Sequence, residues 1–194
     1  MNTSAWRTID VLIASVLGMA CGVLFLLWNS VGYVWYESAN AITPGFGGIA
    51  VGIWLIGGVI GGLVIRKPGA AIYVEVLAAC TSMLLGSQWG VTTVLSGLAQ
   101  GFGAEIIFAV FLYRRCNLSI AVLSGMAAAW AAYFAELFMS ANYAKTLAFN
   151  LTYLTTMTIS GAFLAGVLGW YLVRALAATG VLDRFPPGME RQRV

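Results

Sequence analysis

The sequence predicts an all-α integral membrane protein, a bundle of six transmembrane helices with both termini cytoplasmic. Three observations predict it. Composition is the first: 61% of the 194 residues are hydrophobic, 9% are charged and mean hydropathy is +0.90, too little charge to cover a soluble domain. The second is segmentation into six apolar stretches near the ~20 residues that a helix needs to span the hydrocarbon. The third is the placement of basic residues at every second junction. Cytoplasmic loops accumulate Lys and Arg, so this alternation fits an even number of crossings. The length allows one compact bundle, a single transmembrane domain over residues 1–194.

The spans run approximately 11–28, 46–65, 70–85, 91–113, 118–139 and 151–176. Arg7 precedes the first, as in a signal peptide, but its apolar run is too long for that and five more spans follow, so it reads as a retained helix. It carries Ala14, Gly18 and Gly22 at intervals of four, a small-residue face that serves either packing inside the bundle or docking to a partner subunit. The second span carries Gly57, Gly58, Gly61 and Gly62, which predict close packing near its cytoplasmic end. Arg66 and Lys67 mark the basic turn before the third span, which is short and calls for bilayer thinning or burial. The fourth ends at Arg114 and Arg115. The sixth is long enough to tilt or project, and a tail with Arg184, Arg191 and Arg193 follows it. Among the opposite connections only the stretch 140–150 has a basic residue, Lys145. Cys21 and Cys80 fall inside helices and Cys116 on the cytoplasmic side, which suggests packing and not disulfides. The net charge of +3 is scattered in short groups, unlike the basic stripe of a nucleic-acid-binding surface.

Within this apolar background Glu75, Glu105 and Glu136 each stand alone in a separate hydrophobic stretch. A carboxylate in the bilayer is costly unless it meets a partner, water or a cation, so the three together suggest a protein that handles something positively charged. Counting ~1.5 Å per residue separates them by depth: Glu75 lies ~8 Å and Glu105 roughly 12 Å above the cytoplasmic boundary. Glu136 lies three residues below the outer end of its span. Gln100 precedes Glu105 by five positions, about 140° around the helix, so the two are expected to have different roles: Gln100 lining a cavity, Glu105 bonding neighbouring helices lower down.

The outer connections are aromatic, with Trp28, Asn29, Tyr33, Trp35, Tyr36 and Glu37 in the first, Gln88 and Trp89 in the second, and Asn142, Tyr143 and Asn150 before Tyr153 in the third. Singly, such residues make up an interfacial belt. As a set they supply what a cage for a flat cation needs: π faces, amides and a carboxylate.

The blocks Arg66-Lys67-Pro68-Gly69-Ala70-Ala71 with Glu75, Gly86-Ser87-Gln88-Trp89-Gly90, Gln100-Gly101-Phe102-Gly103-Ala104-Glu105 and Tyr113-Arg114-Arg115 resemble the YkoE family. Its members are substrate-binding S components of energy-coupling factor (ECF) vitamin transporters, associated with thiamine or its hydroxymethylpyrimidine precursor. The resemblance runs from Trp6 to the sixth span. It implies the six-helix fold of the S-component type, a vitamin bound on the extracellular side, a transmembrane coupling subunit and two cytoplasmic ATPase subunits as partners, and the plasma membrane of a prokaryote as the location. It also implies partner docking on Ala14, Gly18 and Gly22, and pyrimidine contact by Gln100. The substrate-binding residues expected on these grounds are Trp35, Tyr36, Glu75, Gln88, Trp89, Gln100, Glu105, Tyr133, Glu136, Asn150 and Tyr153, with Glu136 the first candidate for the ligand's positive charge and Glu75 the second. Trp35 and Trp89 are expected to stack on the ligand, and the segment with Pro44, Gly45, Gly47 and Gly48 to close as a lid. No cofactor, metal or nucleic acid is called for.

Two other readings compete. A stand-alone carrier or exporter would exchange an organic cation for protons at a membrane glutamate. An intramembrane enzyme would use a carboxylate pair such as Glu75 and Glu105, but the chain has no histidine, so Ser-His chemistry and histidine-dependent zinc sites are excluded. The sequence has no phosphate loop, so nucleotide hydrolysis would have to come from partners. A structural subunit without ligand is a weaker third possibility.

Overall fold

The computed structural model describes residues 5–192, and the regular structure among them is helical. The elements are α1 (Thr8–Ile42), α2 (Phe46–Ile65), α3 (Ala70–Leu84), α4 (Thr92–Val110), α5 (Leu118–Met139), α6 (Leu147–Ala178) and a short α7 (Pro186–Arg191). Five of them, α1, α2, α4, α5 and α6, are long and apolar enough to cross a membrane, while α3 has 15 residues. Val11, Leu12, Val16, Met19, Val23 and Leu27 of α1 form an exposed apolar stripe, which only lipid solvates without cost. This is a membrane protein. Arg193 of the basic tail lies outside the described residues.

α1 differs most from expectation. It does not stop at Trp28 but runs 35 residues to Ile42, about 52 Å at 1.5 Å per residue, well beyond a hydrocarbon core of ~30 Å. The cause is local: between Trp28 and Ile42 there is no proline and only Gly32 as a weak point, so nothing breaks the helix. The stretch expected as a loop is therefore helical, and the link to α2 shrinks to residues 43–45. Gly45, at φ 94°, makes the turn. A Cβ there would come within 2.7 Å of the Phe149 carbonyl oxygen, and one on Gly48 within 2.8 Å of the Met157 nitrogen. Gly45 and Gly48 thus let α2 press against α6, while Gly47 sits against Asn40 and Tyr36 of α1.

α2 changes character halfway. Phe46–Leu55 is a 3-10 helix and Ile56–Ile65 an α-helix whose ten residues are all buried, so the inner half of α2 is the central post of the bundle. Runs of 3-10 helix beyond a few residues are uncommon, and here α6 supports one from the side. Thr156 Oγ1 donates to the Gly45 carbonyl at 2.9 Å, Ser160 Oγ donates to the Ile49 carbonyl at 2.6 Å, and the Gly52 N–H donates to Ser160 Oγ at 2.9 Å. α6 in turn passes through a π-helical segment, Gly161–Val167, where it crosses α5 with Gly161 against Gly125.

The small-residue face of α1 packs inside the chain. Ala14, Gly18 and Gly22 are buried; a Cβ on Gly18 would lie 2.9 Å from the Leu77 side chain, and one on Gly22 would lie 2.5 Å from Thr81 Cβ, both on α3. At the same end of the bundle as Arg7, Lys67 Nζ donates to Asp10 Oδ2 at 2.6 Å and Arg7 Nη2 to Asp10 Oδ1 at 2.7 Å. Arg66 Nη2 meets Glu190 Oε2 on α7 at 2.9 Å. The start of α1 and the short α7 thus converge on the basic turn between α2 and α3.

Candidate ligand-binding site

The opposite end of the bundle holds a cavity of about 320 Å³, in the size range of small-molecule sites. Six helices and the turn after α3 supply its wall, α3 through Ala79 and Ser82, and helical spacing explains which residues face inward. On α1, Phe25, Asn29, Tyr33 and Tyr36 line it, steps of four, four and three that keep one face of a helix. Trp35, one position from Tyr36, is turned about 100° away and is 65% exposed, outside the cavity. On the 3-10 half of α2, Val51 and Trp54 line it, three apart as that helix eclipses its side chains. α4 adds Ser96 and Gln100, α5 adds Glu136 and Met139, Ser140 just after α5 follows, and α6 adds Tyr153.

The turn after α3 is built to bring Trp89 over this space. Gly86, at φ 105°, ends α3, with its N–H bonded to the Met83 carbonyl and the Ser87 N–H to the Ser82 carbonyl at 3.0 Å, the Schellman arrangement. Ser87 then points in, accepting from Asn29 Nδ2 at 3.3 Å and bonding Thr93 Oγ1 at 3.0 Å. Gln88 points out, exposed and away from the lining. Trp89 meets Trp54 and Tyr33 edge to face, with centroids at 5.6 and 5.5 Å. Tyr33 stacks on Tyr36, which meets Tyr153 edge-on at 6.2 Å. An aromatic chain of five rings therefore borders the cavity, in the geometries that aromatic quadrupoles favour.

Polar groups are distributed at two places. On one side Tyr153 donates to Glu136 Oε2 at 2.7 Å, and Glu37 is a second carboxylate on the wall. At the floor, Gln100 satisfies its surroundings in one amide orientation: Nε2 donates to the Trp54 carbonyl at 3.0 Å and to Glu75 Oε1 at 3.2 Å, while Oε1 accepts from Ser96 Oγ at 2.8 Å. The reverse orientation would aim its oxygen at two acceptors. Asn29, at the other edge of the floor, accepts from Trp54 Nε1 at 2.8 Å.

The three membrane glutamates have separate surroundings. Glu75 is wholly buried beneath the cavity, where Oε2 accepts the Gly58 N–H at 2.5 Å. Gly58 is the third residue of the α-helical half of α2, so Glu75 of α3 caps the start of that α-helix inside the protein, at its positive dipole end. Glu105 does the same for α3: its oxygens accept the N–H groups of Gly69 at 2.7 Å and Ala71 at 2.8 Å, and the Tyr113 hydroxyl at 2.6 Å. It lies away from the cavity. Glu136 alone of the three opens onto it. Tyr133 and Asn150 stand behind the wall: Tyr133 donates to Asn150 Oδ1 at 3.3 Å, and Asn150 Nδ2 donates to the Asn142 carbonyl at 2.9 Å, bracing the α5–α6 connection.

Of the residues expected from sequence, Tyr36, Trp89, Gln100, Glu136 and Tyr153 meet at the cavity, and Trp35, Gln88, Glu75, Glu105, Tyr133 and Asn150 do not line it. Sequence reading missed Trp54 and Ser96 as lining residues, and named Asn29, Tyr33 and Glu37 only as members of the outer aromatic set. The run Phe25, Asn29, Tyr33, Tyr36 was visible as helical spacing once the helix is continued past Trp28; Ser96 sits one turn before Gln100.

A family model described as an ABC-type cobalt transport system permease component matches residues 9–131. The chain is 35% identical over 97% of its length, and 94% of the relative's, to the HMP/thiamine permease protein YkoE of Bacillus subtilis. It superposes with a TM-score of 0.90, at 34% identity, on a crystal structure of an S component of an ECF transporter, covering 97% of this chain and 94% of that one. These relatives are transport components, not enzymes. The chain belongs to the YkoE family of energy-coupling factor S components and serves as a membrane transport subunit.

Proposed function

We propose that this subunit binds thiamine, or its hydroxymethylpyrimidine precursor, from the extracellular side and delivers it to a transmembrane coupling subunit driven by two cytoplasmic ATPases in a prokaryotic plasma membrane. The observation that carries the reading is the pairing, in one 320 Å³ cavity, of an aromatic wall with an amide floor at Gln100 and a carboxylate at Glu136. The relatives' names, permease for HMP and thiamine and ECF S component, support it. A pyrimidine stacks between rings and hydrogen-bonds to an amide; a thiazolium is attracted to π faces and to a carboxylate. The same lining argues against a bare metal ion as cargo, since its polar groups are hydroxyls, amides and spaced carboxylates among indoles and phenols, without imidazole.

In this reading α3 completes six crossings, shielded from lipid by α1, α2 and α4. The end with Arg7, Arg66, Lys67 and α7 faces the cytoplasm with both termini, as the positive-inside rule requires, and the cavity faces outward. The test is reconstitution in liposomes with labelled thiamine. The chain alone should bind without sustained uptake, and adding the coupling subunit, ATPases and ATP should start uptake. Uptake by the chain alone, driven by a pH gradient, would establish the carrier alternative instead.

A further inference from the structure

The floor of the cavity has a hydrogen-bonding sense, and a residue that never touches the cavity sets it. An amide offers two N–H hydrogens and two oxygen lone pairs. Both Gln100 hydrogens are spent, on the Trp54 carbonyl at 3.0 Å and Glu75 Oε1 at 3.2 Å, and one lone pair takes the Ser96 hydroxyl at 2.8 Å. What remains for a ligand is an acceptor. The Trp54 carbonyl and Glu75 together hold this orientation, and Glu75 does its share only while it is an acceptor on both sides, because its Oε2 also takes the Gly58 N–H at 2.5 Å. A carboxylate has two acceptor oxygens; an amide has one. With glutamine at 75 the oxygen goes to the backbone N–H, which cannot move, and an NH2 group faces Gln100 Nε2, donor against donor.

We infer that Glu75 is a positioning residue that holds Gln100 as a hydrogen-bond acceptor and so selects ligands presenting an N–H donor, an amino-substituted heteroaromatic ring, over the same ring carrying an oxo group. This deepens the proposed function and rests on it: thiamine and hydroxymethylpyrimidine both carry an amino group on the pyrimidine, whereas their oxo counterparts present an acceptor to an acceptor. Sites that bond a donor reject its isosteric counterpart because a buried polar group is left unpaired.

The experiment measures affinity of the purified full chain for thiamine and for its 4-oxo counterpart, in wild type, Glu75→Gln and the exchanged pair Glu75→Gln/Gln100→Glu. Wild type should favour the amino compound by about tenfold or more, and Glu75→Gln should bring that ratio near one. In the exchanged pair a carboxylic acid at 100 gives its O–H to the Trp54 carbonyl, takes an N–H from the amide at 75 and again offers the ligand an acceptor oxygen, so the preference should return. The ratio, unlike affinity or Tm, does not move when a variant only loosens the fold. An unchanged ratio in Glu75→Gln overturns the inference, and if that variant does not fold, an exchanged pair without amino preference overturns it. Wild-type binding of neither compound removes the proposed function itself, a result distinct from tight binding of both without preference, which removes only the role of Glu75.

Discussion

Tyr153 on α6 donates its hydroxyl to Glu136 Oε2 on α5 at 2.7 Å, within a cavity also lined by Phe25, Tyr33, Tyr36, Trp54 and Trp89. The bond joins two helices that meet at the cavity and leaves Glu136 Oε1 for a ligand. Glu37 is the other carboxylate on the wall, and under the proposed function the Glu136 oxygen would meet the cationic ring.

Glu136→Gln should weaken thiamine by about ten- to a hundredfold while weakening the neutral hydroxymethylpyrimidine much less. Parallel calorimetric titrations of the variant with both compounds measure the difference. Equal losses would detach Glu136 from the ligand's charge.

Trp54→Ala and Trp35→Ala should behave differently although both remove an indole. Trp54 lines the cavity and meets Trp89 edge to face, so its loss should cost roughly five- to 150-fold in affinity, about 1–3 kcal/mol. Trp35 is 65% exposed, and its loss should leave the affinity near wild type. Ligand titration of the two variants decides this.

Glu105→Gln should lower the stability of the subunit by roughly 1–3 kcal/mol without changing which ligand it prefers. Two N–H groups at the start of α3 and the Tyr113 hydroxyl share this carboxylate, and an amide turns a donor toward one of them. Thermal unfolding in detergent should show a reduced Tm.

Gly22→Ala should destabilise the isolated chain, by roughly 1–3 kcal/mol for overpacking, because the added Cβ would lie 2.7 Å from the Ala78 carbonyl oxygen. Were the face free for a partner, the isolated subunit would tolerate the methyl group. Thermal unfolding of the subunit without its partners separates the two.

The sequence reveals the apolar spans closely where helices end at strong signals. Leu118–Met139 starts at Asn117, whose side chain accepts the Ile120 N–H at 3.0 Å, and α3 ends at the glycine turn at Gly86. α1 was misjudged because aromatic and polar residues after Trp28 look like a membrane interface, and a helix that emerges from the bilayer crosses such an interface without stopping. The 3-10 half of α2 and the π segment of α6 have no local signature, since lateral hydrogen bonds from Thr156 and Ser160 and the crossing of Gly125 with Gly161 go with them. Depth counting distinguished Glu136 from the other two glutamates. That Glu75 and Glu105 cap helix N-termini could not be read, because the acceptor and its N–H donors lie on different helices.

The central claim is that the cavity bordered by Trp54, Trp89, Tyr153, Gln100 and Glu136 is a thiamine site. Calorimetric titration of the purified subunit with thiamine and with hydroxymethylpyrimidine tests it most directly. The account predicts saturable binding of one ligand per chain, tighter for thiamine, and lost when Gln100 and Glu136 are replaced together by Leu; no heat of binding from either compound would contradict it.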